Sequence, residues 1–342
     1  MKAASIREKG VVELIDVPDP RPGPGQALVR PLQCGICGSD LHVYRGAWKG
    51  GGKLGHEVCA VVEELGEGLA GPPPGTRVCA ECFYHCGQCR FCRQGDYNLC
   101  ESISYLDAPE HSAMAERAVL PAGSLFAVPD ELSDAAAMLV EPMAVSFHAV
   151  RRTGVSRGAS IGIIGAGTIG LLCVVTARAA GASPIIVAAK HPHQAALARE
   201  LRADRVVSIG EEKPADAMRH PETGEKLDAA IDAVALGTTF STALSVVRRQ
   251  GSVVVVAGIT RPLLSALGPL VGGELRVTGS SCYGTTDGEP DFGHAIRLIA
   301  TGAVPVDRLV THTLPLEQVA EAFRIADDKS TGAVKVAVRV AD

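Results

Sequence analysis

Residues 160–170 read SIGIIGAGTIG, a short apolar run that breaks into three glycines, Gly165, Gly167 and Gly170, at the spacing G-x-G-x-x-G. An apolar, alanine-rich stretch with helical spacing, Thr168 to Ala180, follows at once. The spacing alone is weak, since an ordinary tight βα turn also tolerates glycine. Placed between a strand and a helix it acquires a physical meaning. The first glycine makes the turn, the second lets backbone approach a pyrophosphate, and the third lets the helix pack closely on the strand. The helix N-terminus, here Thr168 and Ile169, draws the phosphate charge. The stretch predicts a dinucleotide-binding turn, and with it an α/β fold.

Reading outward, strand-like and helix-like runs alternate. Ser160–Ile164 is followed by a helix at Thr168–Ala180, a strand at Pro184–Ala189 and a helix at Gln194–Arg202. Further strands are expected at Arg205–Ile209, Ala229–Val234 and Ser252–Gly258. Such alternation predicts a doubly wound parallel sheet of Rossmann type over residues 151–285, with helices on both faces. Residues 1 to about 125 have a different texture. Candidate strands Ala27–Pro31, Glu57–Leu65 and Ala115–Leu120, and a proline-rich turn Pro18–Gly25, predict a β-rich domain over 1–150. It ends on one helix, Ser133–Thr153, with Ser133 as N-cap. Beyond 285, helices Phe292–Thr301 and Leu316–Asp327 and a strand Ala333–Val338 are expected to return to the first domain.

The chain has 342 residues, 46% hydrophobic and 21% charged, with a net charge of -5, so two well-filled cores are expected. Lysines and arginines are scattered and the balance is acidic, which argues against a nucleic-acid groove, including one built on a zinc finger. The apolar run Gly162–Val175 is shorter than the roughly 18 residues of a membrane span. Met1–Gly10 lacks the apolar core of a signal peptide, so the cytoplasm is expected. Eleven cysteines in a reducing compartment suggest metal ligation rather than disulfides.

Four of those cysteines, Cys86, Cys89, Cys92 and Cys100, fall in the run CGQCRFCRQGDYNLC. Four thiolates so close can surround one ion, and a closed four-cysteine site points to structural zinc. A ferredoxin-type cluster would place its fourth cysteine sooner and follow it with proline. The end of the second expected strand reads VAAKHPHQ, with Ala188 and Ala189 where an NAD enzyme usually carries the acid that grips the ribose. Lys190 and His191 come next, and Arg199 lies beyond. NADP is favoured over NAD on that ground, although Lys190 also reads as a solvated surface charge.

Three fragments remain: ICGSDLH at 36–42, GHE at 55–57 and EPMAV at 141–145. Together with the cysteine lobe and the glycine turn, in this order, they make the whole chain resemble the zinc-containing medium-chain dehydrogenases, closest to the polyol and threonine dehydrogenase branch. The resemblance implies a GroES-like catalytic domain with a structural zinc lobe at about 80–105, ahead of the Rossmann domain. It also implies zinc-dependent, NAD(P)-linked oxidation of a secondary alcohol or polyol. Cys37, in the C-x-[ST]-D run, is similar to the thiolate ligand of a catalytic zinc, and His56 to its imidazole ligand. Glu57 and Glu141 resemble the carboxylates, one or other binding directly or through water. Asp40 resembles the group that orients the histidine, and Cys34 is a neighbour rather than a ligand.

In such a site zinc acidifies the alcohol hydroxyl and a hydride leaves for the nicotinamide. Ser39 is the first hydroxyl of the proton route, His42 the next, with Glu57 as an alternative base. Gly258, Ile259, Ser281 and Cys282 match the stretch that lies against the nicotinamide, although core packing predicts the same small residues. A homodimer or homotetramer through edge strands near Leu275–Gly279 is implied as well. Only 18 residues separate Cys37 from His56, and that short loop carries Trp48 and Gly50–Gly52. It leaves open a biosynthetic dehydrogenase acting on a cyclitol, aminocyclitol or amino-acid hydroxyl. A non-catalytic NADPH-binding module of the same fold is the reading from another class, and the candidate zinc ligands count against it.

Overall fold

A computed structural model of the chain describes residues 1–47, 54–68, 71–105, 112–260, 262–263 and 267–341. Trp48 and Gly50–Gly52 fall outside them. The chain divides into two compact units. One comprises Met1–Glu141, Gly284–Thr301 and the segment from Asp307 on; the other comprises Pro142–Tyr283 and Gly302–Val306.

The first unit opens with a hairpin of β1 (Lys2–Glu8) and β2 (Val11–Asp16). The long β3 (Gln26–Gly35) leads into the short helix α1 (Gly38–Tyr44), and β4 (Glu57–Leu65) and β5 (Arg77–Ala80) follow. A two-residue pair, β6 (Phe83–Tyr84) and β7 (Ser104–Tyr105), brackets the cysteine lobe with its helix α2 (Arg90–Gln94). β8 (Ala118–Pro121), β9 (Leu125–Ala127) and α3 (Asp134–Met138) complete the N-terminal part.

Ser133 caps α3, its hydroxyl accepting from Ala136 N at 3.1 Å. The single helix expected over Ser133–Thr153 is two, broken at Leu139 and resumed as α4 (Val140–Thr153). Pro142 is the reason. Inside a continuous helix its ring would clash with the carbonyl of Met138, whereas in the first turn of a new helix its missing N–H costs nothing.

In the second unit, β10 (Ile161–Ile164), β11 (Ile185–Ala189), β12 (Arg205–Ser208), β13 (Leu227–Asp232), β14 (Val247–Val255) and β15 (Arg276–Gly279) form one parallel sheet in the order β12-β11-β10-β13-β14-β15. Every residue of β10 and β11 is buried, as expected of strands covered on both faces. Helices α5 (Thr168–Ala179) and α6 (Pro192–Glu200) pack on β10, β11 and β12. Met218, just after α7 (Pro214–Ala217), and Ala243 and Leu244 of α8 (Gly237–Val246) pack into a cluster with Ile164, Ala188, Val207, Ala230 and Val253. β13 ends at Asp232, two residues before the expected Val234. There the Asp232 carboxylate accepts from Val234 N and Ala235 N at 3.0 Å each and turns the chain. The short α9 (Gly268–Gly272) precedes the edge strand β15.

The remaining segments belong to the first unit. After the two-residue pair β16 (Thr285–Thr286) and β17 (Glu289–Pro290) come α10 (Asp291–Ala300), β18 (Val310–Pro315), α11 (Val319–Asp327) and β19 (Lys335–Arg339). β19 runs parallel to β18 and antiparallel to β3, extending a seven-stranded sheet in the order β18-β19-β3-β4-β5-β9, with β8 also on β3. Val29, Val58, Val62, Met114, Leu120, Phe323 and Val336 lie in its core. β3 is thus the strand between N-terminal and C-terminal sequence, and its last residue, Gly35, pairs with Glu57 on one side and Ala337 on the other.

Candidate metal centres and the dinucleotide turn

Cys37 is the residue on which β3 passes into α1. It occupies the N-cap position, and its amide donates to Asp40 Oδ2 at 2.8 Å. His56 immediately precedes β4 and Glu57 begins it. Within the described residues, ligand atoms of Cys37, His56 and Glu57 converge to within 4.8 Å of one another. A cysteine, a histidine and a glutamate are a ligand set that suits a catalytic zinc, a type of site that keeps its fourth position for water or substrate.

The electrostatics mark the centre as a place for a cation, and a metal would have to displace the proton that its neighbours hold on His56. Burial opposes a charge on His56, but the Cys37 sulfur, and then the carboxylates of Asp40 and Glu141, hold its imidazole protonated well above the usual histidine range. Buried Glu141 therefore acts on this centre from the first turn of α4. Asp40, buried as well, bonds the Cys37 amide and reaches His56 through its field. Burial pushes the Cys34 thiol far up, with Asp40 and Glu57 adding to the shift, so Cys34 stays a neutral thiol beside the site. Ser39 and half-buried His42 stand three residues apart on α1, on one face of the helix.

One residue of the centre carried no motif in the sequence. The ammonium of Lys335, on β19, donates to Glu57 Oε1 at 2.7 Å, to Glu57 Oε2, and to the Ile36 carbonyl at 2.9 Å. Burial would strip its proton, but Glu57 and Cys37 hold it charged above the ordinary lysine value. Gly35 makes room for the pair, since a Cβ there would lie 2.2 Å from Glu57 Oε2. Both carboxylate oxygens of Glu57 thus face this ammonium.

In the lobe, the sulfurs of Cys86, Cys89, Cys92 and Cys100 also lie within 4.8 Å of one another, with Cys89–Cys92 at 3.5 Å. Backbone amides point at them: Cys89 N at Cys86 Sγ, and Cys86 N and Ser102 N at Cys100 Sγ, each at 3.3 Å. The amides of Cys92 and Glu101 lower the Cys89 thiol to about 6, which favours the thiolate a metal needs. Four sulfurs with amide support fit a closed structural zinc site.

In the second unit the glycine turn has the expected form. Gly165 sits at φ +99, where a Cβ would lie 2.4 Å from Val234, and a Cβ on Gly170 would lie 1.9 Å from the Gly165 carbonyl. Gly167 caps α5 and faces open space, the cradle a phosphate would fill. Thr168 and Ile169 open α5 there. Lys190, exposed, and His191, the N-cap of α6, leave the adjacent strand β11 at the same sheet end, the His191 ring stacked on His193 at 5.5 Å. Ala188 and Ala189 are buried, and neither supplies an acid. Gly258, Ile259, Ser281 and Cys282 follow β14 and β15 at that end too. Gly258, Ile259 and Ser281 are exposed, so core packing does not explain them.

Two family descriptions match the chain: the alcohol dehydrogenase GroES-like domain over residues 23–130 and the zinc-binding dehydrogenase domain over residues 168–301. The sorbitol dehydrogenase of Homo sapiens is 32% identical, over 93% of this chain and 90% of that protein. The L-idonate 5-dehydrogenase of Vitis vinifera is 30% identical, over 93% and 88%. Among solved structures, a zinc-binding dehydrogenase of Sinorhizobium meliloti 1021 bound to NADP has a TM-score of 0.89 at 28% identity, covering 99% of each chain. The 2R,3R-butanediol dehydrogenase of Bacillus subtilis has a TM-score of 0.87 at 28% identity, again covering 99% of each chain. The chain belongs to the zinc-binding alcohol dehydrogenase family, on the branch that holds the sorbitol and other polyol dehydrogenases.

Proposed function

We propose that this protein is a zinc-dependent dehydrogenase that moves a hydride between NAD(P) and a secondary alcohol or polyol. The observation that carries the reading is the convergence of Cys37, His56 and Glu57 in a chain whose glycine turn suits a dinucleotide. These three residues would hold the catalytic zinc, with Glu141 alongside. When bound, zinc supplies a Lewis acid that makes the substrate hydroxyl more acidic. Ser39 and His42, one turn apart on α1, pass the released proton toward solvent. The turn Gly165–Gly170 takes the diphosphate, and Gly258, Ile259, Ser281 and Cys282 contact the nicotinamide end. Cys86, Cys89, Cys92 and Cys100 hold the structural zinc.

NADP is the favoured cofactor. Ala188 and Ala189 put no carboxylate against a 2′-phosphate, and Lys190 and His191 offer positive charge beside it. The working form is a homodimer or homotetramer through the edge strand β15, supported by exposed apolar side chains there: Val277 on the strand, and Leu267 and Val271 at α9. Among the described residues no helix is long and apolar enough to cross a membrane. Eleven cysteines outside any disulfide suit the reducing cytoplasm.

The test is a panel of polyols, short secondary alcohols, threonine and cyclitols assayed with NAD and with NADP, following absorbance of the reduced nicotinamide. Turnover on a polyol or secondary alcohol, abolished in Cys37→Ser with the fold intact, is expected. A Cys37→Ser variant as active as the parent would remove this centre from the chemistry.

A further inference from the structure

A lysine ammonium has three N–H donors, and at Lys335 three acceptors receive them: Glu57 Oε1 at 2.7 Å, Glu57 Oε2, and the Ile36 carbonyl at 2.9 Å. The side chains of Lys335 and Glu57 are 3% and 2% exposed. Ile36 directly precedes Cys37 and Glu57 directly follows His56. One cation therefore grips both segments that carry the converging ligands. A buried ion pair is a weak device for stability alone, because desolvation offsets most of the attraction. Here it stands where the ligand atoms of Cys37, His56 and Glu57 converge within 4.8 Å, and it fixes the direction in which the Glu57 carboxylate faces.

We propose that Lys335 is a positioning residue that assembles the Cys37–His56–Glu57 ligand set. It holds the Glu57 carboxylate and the Ile36 carbonyl, next in the chain to Cys37, at metal-binding spacing before an ion arrives. The proposal rests on the reading of this centre as the catalytic zinc site. Partners of ligating carboxylates commonly set metal affinity by about 10–100-fold, which gives the effect to look for.

Zinc content and zinc affinity, measured on the full-length protein by competition with a chelator, test it. The parent should hold two zinc ions per chain. Lys335→Met and Lys335→Gln should keep the lobe's ion and bind the second about 10–100-fold more weakly. Lys335→Arg, which restores a charged donor, should recover most of that affinity. Lys335→Gln keeps an N–H donor in the folded core, so it reports even if the methionine variant does not fold. With Co2+ in place of zinc, the visible bands of the second site should shift in Lys335→Gln while those of the lobe stay fixed, a signature that a purely structural pair would not give. Parent-like affinity and spectra in both neutral variants would overturn the proposal. A parent that binds only the lobe's ion would instead overturn the reading of the centre itself, and the proposal with it.

Discussion

At the second residue of β13, Asp228 joins three parts of the nucleotide unit. Its Oδ2 accepts from Ser160 N and Ser160 Oγ at 2.8 Å each, and its Oδ1 accepts from Arg248 Nε at 2.7 Å. Burial would raise its carboxyl, but the Arg248 guanidinium and the Ser160 donors outweigh that and hold it below the usual aspartate value. Asp228→Asn should cost about 1 kcal/mol at pH 7, the scale of a partly exposed charged hydrogen bond, as read by urea unfolding. Since the folded value lies below the unfolded one, this contribution is complete above about pH 4. It fades as pH falls through the folded value, so parent and variant should converge in acid; a gap that widens there would contradict the assignment.

Single residues also mark the limit of what was legible in the sequence. Cys37, His56 and Glu57 lie in short local patterns, and the chain brings them together as those patterns suggest. Lys335 and Gly35 carry no local pattern. Their role exists only because β19 returns to pair with β3 and a missing Cβ lets Glu57 approach.

Among elements, the turn before α5 is the most constrained. Gly170→Ala would press a methyl group into the Gly165 carbonyl, 1.9 Å away. It should weaken NADPH binding at least about 10-fold by displacing the start of α5. Fluorescence titration of NADPH checks this, and zinc content should stay at the parent level; undiminished binding would mean that the turn is not the diphosphate site. The cysteine lobe makes a different demand. α2 has no buried residue, so a metal held by Cys89 and Cys92 would fix this helix where its own apolar packing does not. Cys89→Ser should remove one zinc ion per chain and lower the melting temperature by several degrees, measured by metal analysis and calorimetry. Unchanged melting together with lost turnover would mean that the roles of the two centres are exchanged. Parallel strands such as β10 and β11 were readable because burial on both faces leaves a continuous apolar run. Their ends were less so, since side chain to backbone bonds, as at Asp232, and the demand of Pro142 for a new helix decide where elements stop.

For the whole molecule, the open side of β15 and the neighbouring α9 matter most. Val271 is 75% exposed and Leu267 54%, and apolar side chains gathered beside a strand that, among the described residues, pairs only with β14 favour association. The parent should therefore sediment as a multiple of its 35.4 kDa chain. Val271→Asp should shift that mass toward the monomer, by light scattering after gel filtration. A monomeric parent would remove the edge as an assembly surface.

The discontinuity of the first unit sets a timetable for its making. Glu57 leaves the ribosome 278 residues before Lys335, a wait of roughly 15–55 s at ordinary rates of synthesis. Meanwhile the contiguous stretch Pro142–Tyr283 has everything its own sheet requires, while β3 stands with the flank meant for β19 bare. That flank is a nascent sticky edge, and a chain stalled in the interval is the form most prone to clump and most in need of a chaperone.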